Sequence, residues 1–206
     1  MPSTRHVALS VPEAQRYADL TGINTDLRDV VDVCDRFSTE HDSSASPDWK
    51  LLEVCCTAAI VRYGRTFPSG VRTGIGEEFL SRLSREDQDV HRLFKNLRDK
   101  WIAHSVNPFE ENQVIVWLAP LETSGPAVVG VAVQETRVTS MGNADMQRLK
   151  SLAANLRKIV FSELSKERSK VDRFAKRMDP LPLYSQVEVS SELPNNDAAG
   201  KSRRRW

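Results

Sequence analysis

The sequence predicts a mainly α fold, an antiparallel helical bundle with one inserted β-hairpin. Three observations lead there. Apolar residues recur at three- and four-residue steps in three separate stretches, at Leu27–Val30–Val31–Cys34–Phe37, Val90–Leu93–Phe94–Leu97–Trp101 and Met146–Leu149–Leu152–Leu156–Ile159–Val160–Leu164. That spacing puts them on one face of a helix. A fourth stretch, Leu51 to Val61, is apolar except for Glu53 and Thr57, as expected of a central buried helix with a narrow wet strip. Only "QVIVWLA" and "AVVGVAVQETRV", separated by a turn containing "ETSGP", have β-rich composition, and a hairpin over about 113–138 is the simplest reading.

The elements follow in order. Residues 1–10 are expected to be a flexible N-terminus, and the helical domain to occupy 11–180. "VPEAQRYADLTGINTDLRDVVDVCDRFSTE" reads as one or two helices: Pro12 suits a first turn, and Gly22 is a candidate break. "HDSSASPD" reads as a loop ending in a cap at Ser46 or Asp48. The buried helix ends near Gly64, before the glycine- and proline-punctuated "FPSGVRTGIG". A short helix is expected from Glu77 to Leu83. The next opens at Ser84 with Glu86 and Asp87 in its first turn, where carboxylates complement the helix dipole. Asn107-Pro108 stops it, because a residue before proline avoids helical geometry. After the hairpin a long helix starts near Asn143. Beyond Pro180, residues 181–206 turn polar and end in "KSRRRW", which reads as a disordered, basic-ended tail.

Composition excludes some functions and leaves others open. The chain has 206 residues, 40 % apolar and 28 % charged, with a formal net charge of +1. That charge is no global footprint for nucleic acid, so any such reading rests on local charge. Cys34, Cys55 and Cys56 form no CxxC pattern and no Cys/His cluster, so no metal site is expected. No run reaches membrane-spanning length, which makes the cytoplasm the default address. "GVRTGIGEEF" follows no strand and lacks the lysine-serine of a phosphate loop.

The chemistry concentrates in "LRDKWIAHS", residues 97–105. His104 carries an imidazole that exchanges protons near neutral pH, and Arg98 a permanently charged fork matched to phosphate oxygens. Together they are a minimal set for cleaving an RNA phosphodiester without a metal. The imidazole shuttles protons at the ribose 2′-oxygen or the leaving 5′-oxygen, and the guanidinium holds the charge on the pentavalent phosphorus. On an ideal helix, six residues leave the two side chains roughly 120° apart, so convergence needs an irregular last turn or a second copy. The competing reading makes His104 the wet end of a core-facing row and Arg98, Asp99 and Lys100 the solvated back of the helix.

"LRDKWIAHS" resembles the arginine–histidine motif of the HEPN superfamily, and "AAIVRYGRTFPSGVR" looks like the preceding buried helix of HEPN-like proteins related to abortive infection. The resemblance covers about residues 25–105 and, weakly, the final helix. It implies a helical bundle that often dimerises with the two motifs facing, and a metal-independent endoribonuclease of a toxin–antitoxin or antiphage system. The implied partners are an RNA substrate, a second copy and a cognate antitoxin protein, with no cofactor and no membrane. By position Arg98 and His104 would be the catalytic pair. Asp99 stands where many active members have asparagine, and the hairpin is a further departure. Inactive binding modules share the superfamily, so a non-catalytic module binding a protein partner or nucleotide is the alternative.

Other residues have two readings each. Arg62 and Arg65 could support the site by contacting phosphates, or could pair with acids at a helix end. The last helix carries Arg148, Lys150, Arg157, Lys158, Lys166, Arg168, Lys170, Arg173, Lys176 and Arg177, either a basic track for RNA or a solvated face paired to its own acids. Tyr63 is expected to pack with its hydroxyl exposed, and His91 to lie on a helix surface.

Overall fold

A computed structural model describes residues 6–43, 46–67, 72–104, 108–189 and 196–201. The expected architecture is present: the chain is mainly helical, a bundle with one inserted two-stranded antiparallel sheet. The elements are α1 (Pro12–Ser43), α2 (Trp49–Gly64), α3 (Glu77–Leu80), α4 (Arg85–Leu97), a π-helical turn (Arg98–Ile102), β1 (Glu110–Leu118), α5 (Leu121–Ser124), β2 (Val128–Arg137), α6 (Asn143–Ala175) and α7 (Leu181–Tyr184). They divide into two compact units. One comprises 1–28, 65–84 and 154–206, the other 29–64 and 85–153. Both α1 and α6 contribute residues to each.

The first unit buries Leu20, Ile23 and Leu27 of α1 together with Ile75, Phe79, Leu83, Leu156 and Val160. The predicted break at Gly22 does not occur, and α1 is one continuous helix. The glycine instead leaves room for a neighbour, because a Cβ there would lie 3.1 Å from Nη1 of Arg72. Arg72 donates to the Asp26 carboxylate at 2.8 Å and to the carbonyl of Arg65, while the Thr73 amide donates to Asp19 at 3.0 Å. Two buried carboxylates of α1 thus hold the segment that follows α2, satisfying polar groups that burial would otherwise penalise. In the same unit Val7 and Glu188 form an isolated antiparallel bridge. Residues 190–195 and the final "SRRRW" lie outside the described residues.

The second unit is the one that positions the candidate site. Its core draws on Val30, Cys34 and Phe37 of α1, Leu52, Cys56 and Ile60 of α2, Phe94 and Leu97 of α4, and Met146, Leu149 and Leu152 of α6. Helix α1 runs on to Ser43, into the start of the expected loop. Of the two cap candidates Asp48 does the work, its Oδ1 accepting from the amides of Lys50 and Leu51 at 3.0 Å each. The three cysteines are free, buried thiols. Burial pushes the Cys34 pKa up to about 12 and raises those of Cys55 and Cys56, so none is a ready nucleophile.

Helix α2 departs from expectation on its polar side. Val54 and Val61 are exposed, whereas Glu53 and Thr57 are only partly so. The departure from expectation is sharper at the contact with α4. Tyr63 is fully buried and its hydroxyl lies 2.9 Å from Nδ1 of His91, itself buried. The rings meet edge to face at 6.1 Å. Neither the exposed hydroxyl nor the surface histidine is found. His91 borders the apolar stripe at a position three residues before Phe94, which turns it inward with that row.

Burial, and then Asp87, push the tyrosine pKa up, so the phenol stays protonated. Burial foremost, then Lys95 and Arg92, hold the His91 pKa below its ordinary 6.5, so the ring stays neutral. We therefore assign the tyrosine hydroxyl as donor to Nδ1, which leaves the imidazole proton on Nε2. Removing the hydroxyl strands a buried acceptor, so Tyr63→Phe is expected to cost about 1–3 kcal/mol in urea unfolding. A depressed histidine pKa stabilises the fold above the unfolded value. Below it the unfolded chain gains a proton that the folded ring resists. The urea midpoint should fall as pH drops from about 6.5 towards 5, and His91→Gln should flatten the curve in that window.

Candidate functional site

The segment expected to carry the chemistry is where regular helix gives way. After Leu97 the ladder changes from four-residue to five-residue bonding, with the Ala103 amide donating to the Arg98 carbonyl at 2.9 Å. This wider turn replaces the frayed end that the sequence suggested, and such π-turns recur at functional positions. Trp101 stays buried on the turn and meets Phe109 edge to face, with centroids 5.5 Å apart. The Phe109 carbonyl accepts from the Val138 amide at 2.8 Å, which fastens the base of the hairpin beside the turn. Helical backbone ends by Ala103, ahead of Pro108.

Arg98 opens the turn, and its side chain is 41 % exposed. Its stem runs against the last residue of α2, where a Cβ added to Gly64 would lie 2.7 Å from Cγ and 3.2 Å from Cδ. Only glycine admits this approach. At its far end Nη1 donates to Asp99 Oδ1 at 2.8 Å. Asp99 also accepts from Lys95 at 3.0 Å, and these two hydrogen bonds, the Arg98 one foremost, hold its carboxyl below the usual range. Asp99 is therefore a charged partner of the guanidinium. His104 lies just past the turn, exposed, and makes no hydrogen bond or ion pair among the described residues. No such contact joins it to Arg98.

The remaining candidates have acidic partners. Arg62 pairs with Asp29 at 2.7 Å. Arg65, in the other unit, lies 4.0 Å from Asp26. Several basic residues of α6 do the same: Lys166 pairs with Glu163 at 2.9 Å, Lys170 with Glu167 at 2.7 Å, Arg148 with Asp145 at 3.1 Å and Lys150 with Asp35, and just beyond the helix Lys176 pairs with Asp172 at 2.7 Å. Arg157 instead donates to Asn24 and Arg173 to the Ser169 carbonyl, so this face is paired in part.

Sequence reasoning missed a half-open cleft of about 260 Å³ lined in part by the π-turn. Glu53, Thr57, Trp101, Ile102, Glu110, Arg137, Val138 and Thr139 line it. Arg137 reaches Glu110 at 3.4 Å across its floor, and Lys50 bonds Glu53 at 2.9 Å, holding that carboxyl down. Neither Arg98 nor His104 lines the cleft. The signal for it was the pair Glu53 and Thr57, polar residues one turn apart on an otherwise apolar helix. Comparison of the chain with family models, with curated proteins and with solved structures finds no match in any of the three.

The contact between Gly64 and Arg98 is testable by a double-mutant cycle. Gly64→Ala should destabilise the parent by about 1–3 kcal/mol through overpacking. In an Arg98→Ala background the clash has no partner, and the same change should be neutral in urea unfolding.

Proposed function

We propose that this chain is a metal-independent endoribonuclease of a toxin–antitoxin or antiphage type, working in the cytoplasm with Arg98 and His104 as its reactive groups. The observation that supports the reading best is the π-turn. It holds a half-exposed guanidinium at its start and leaves an exposed imidazole just beyond its end. Only Nη1 of Arg98 is engaged among the described residues, which leaves the other donors of the fork for a phosphate. Asp99 tethers the guanidinium through that one nitrogen.

In the reaction His104 accepts the proton of the ribose 2′-hydroxyl as its oxygen attacks phosphorus. The bond from phosphorus to the 5′-oxygen breaks, and that oxygen takes a proton from solvent water, which the protonated His104 replaces. The products are a 2′,3′-cyclic phosphate and a free 5′-hydroxyl. Arg98 donates to the non-bridging oxygens, where charge accumulates. Because the two side chains make no contact within one chain, the reading includes a homodimer in which one copy supplies Arg98 and the other His104. A cognate antitoxin protein would cover the same surface. One observation favours a different reading. The bond from Arg98 to Asp99 is also what a non-catalytic module would use to fix its surface for a protein partner or nucleotide.

The deciding experiment is incubation of purified protein with total RNA in EDTA. The parent should cleave it to fragments ending in 2′,3′-cyclic phosphate. His104→Ala and Arg98→Ala should each lose at least about a hundredfold in rate, the usual scale of such groups. Equal cleavage by parent and variants, or none by any, would sink the nuclease reading.

A further inference from the structure

One face of the hairpin is apolar and uncovered. Antiparallel register alternates the side chains between two faces, pairing Val114 with Val133 and Val116 with Val131. Beyond an irregularity at Trp117/Leu118, Leu118 comes beside Val128. These six side chains are between 50 % and 71 % exposed. The opposite face is mixed, with Glu111, Gln113, Gln134 and Thr136 towards the base, then Ile115 beside Ala132, and Trp117, 60 % exposed, packed over Gly130. A lone two-stranded hairpin is marginal in water, and a contiguous apolar patch on a folded chain marks an interaction surface.

We propose that the valine face of this hairpin is the surface on which two copies of the chain pair. The first argument is area. Burying a valine or leucine withdraws about 60–120 Å² of apolar surface, so six withdraw on the order of 500 Å² per copy. Two copies together reach about 1,000 Å², the threshold of a specific interface.

The second argument is charge. Residues 111–136 contain Glu111, Glu122 and Glu135 and no lysine or arginine. Such a hairpin repels a nucleic acid or an anionic membrane, whereas an apolar patch is complementary to itself. The third is geometry. Stacking face to face about 10 Å apart sets valines on valines around a two-fold axis, with Asn112 and Glu135 of the same face at the rim of the overlap and Glu110 and Arg137, at the hairpin base, outside it. Pairing edge to edge would double the exposed patch. The surface contains neither Arg98 nor His104, so although the nuclease reading also includes a homodimer, the Val131 variants test this surface apart from it.

The test is sedimentation equilibrium of the full chain over a range of concentrations. The parent should be a dimer. Val131→Lys and Val131→Glu should each weaken association at least about a hundredfold, with an unchanged helical circular dichroism spectrum. An equimolar mixture of the two should restore the dimer through opposite charges at the centre of the patch. Gln134→Lys, on the other face, should leave association unchanged. A monomeric parent, a dimer indifferent to both Val131 variants, or a mixture that stays monomeric would each overturn the proposal. So would a monomeric parent that binds phosphatidylcholine vesicles, since the patch would then be a lipid contact.

Discussion

The candidate site depends on a buried polar contact between two helices. The Tyr63 hydroxyl and the His91 imidazole meet inside an otherwise apolar interface between α2 and α4. Apolar packing alone tolerates small slides along a helix pair, because one methyl group substitutes for another. A hydrogen bond at 2.9 Å does not, since losing it strands a donor and an acceptor away from water. The register is therefore fixed at this point. Its consequence appears next along both elements, where Gly64 follows Tyr63 and Arg98 lies seven residues, close to two turns, beyond His91. The close approach of the arginine stem to the glycine requires that register, and it sets the direction in which the guanidinium leaves the helix.

The π-turn continues the same logic. With Arg98 held at Gly64 and Trp101 held in the core and against Phe109, the chain between them has two fixed points. The wider turn meets both and keeps the Arg98 carbonyl bonded to the Ala103 amide. It also releases the chain towards the hairpin base, so that the exposed imidazole of His104 belongs to a connection. An imidazole there can approach a substrate that a rigid helix face could not reach, and no hydrogen bond among the described residues fixes its orientation.

Much of the fold was legible because its signals are periodic. The stripes at Leu27–Phe37, Val90–Trp101 and Met146–Leu164 each identify a helix and its buried side, whereas the β-rich composition of the hairpin identifies the element but not its burial, since its valines are exposed. Punctuation residues were less reliable. Gly22 carries the composition of a helix break, but its cause is a neighbour's side chain, and nothing local in the sequence names Arg72 as that neighbour. Tyr63 and His91 were misjudged for the same reason. An amphipathic side chain beside an apolar stripe turns inward only when a polar partner waits on the facing helix, which is a pairwise property. The candidate motif was visible as residue types. Its wider turn was not, because that is set by packing at Gly64 and Phe109 rather than by the motif itself.

Asp99 decides how available the arginine is. An acid next to a guanidinium competes with any other anion for it, and the competition would be ruinous in a buried pair, where separating partners costs several kcal/mol. Here Arg98 is 41 % and Asp99 37 % exposed, a setting in which an ion pair contributes only about 0–1 kcal/mol. Lys95 shares the carboxylate, so Asp99 keeps a cation if the arginine turns away. A phosphate offers the fork two oxygens where Asp99 engages a single nitrogen. The carboxylate therefore holds the guanidinium in place without sequestering it. An asparagine in its position would hold the same geometry with less charge to displace.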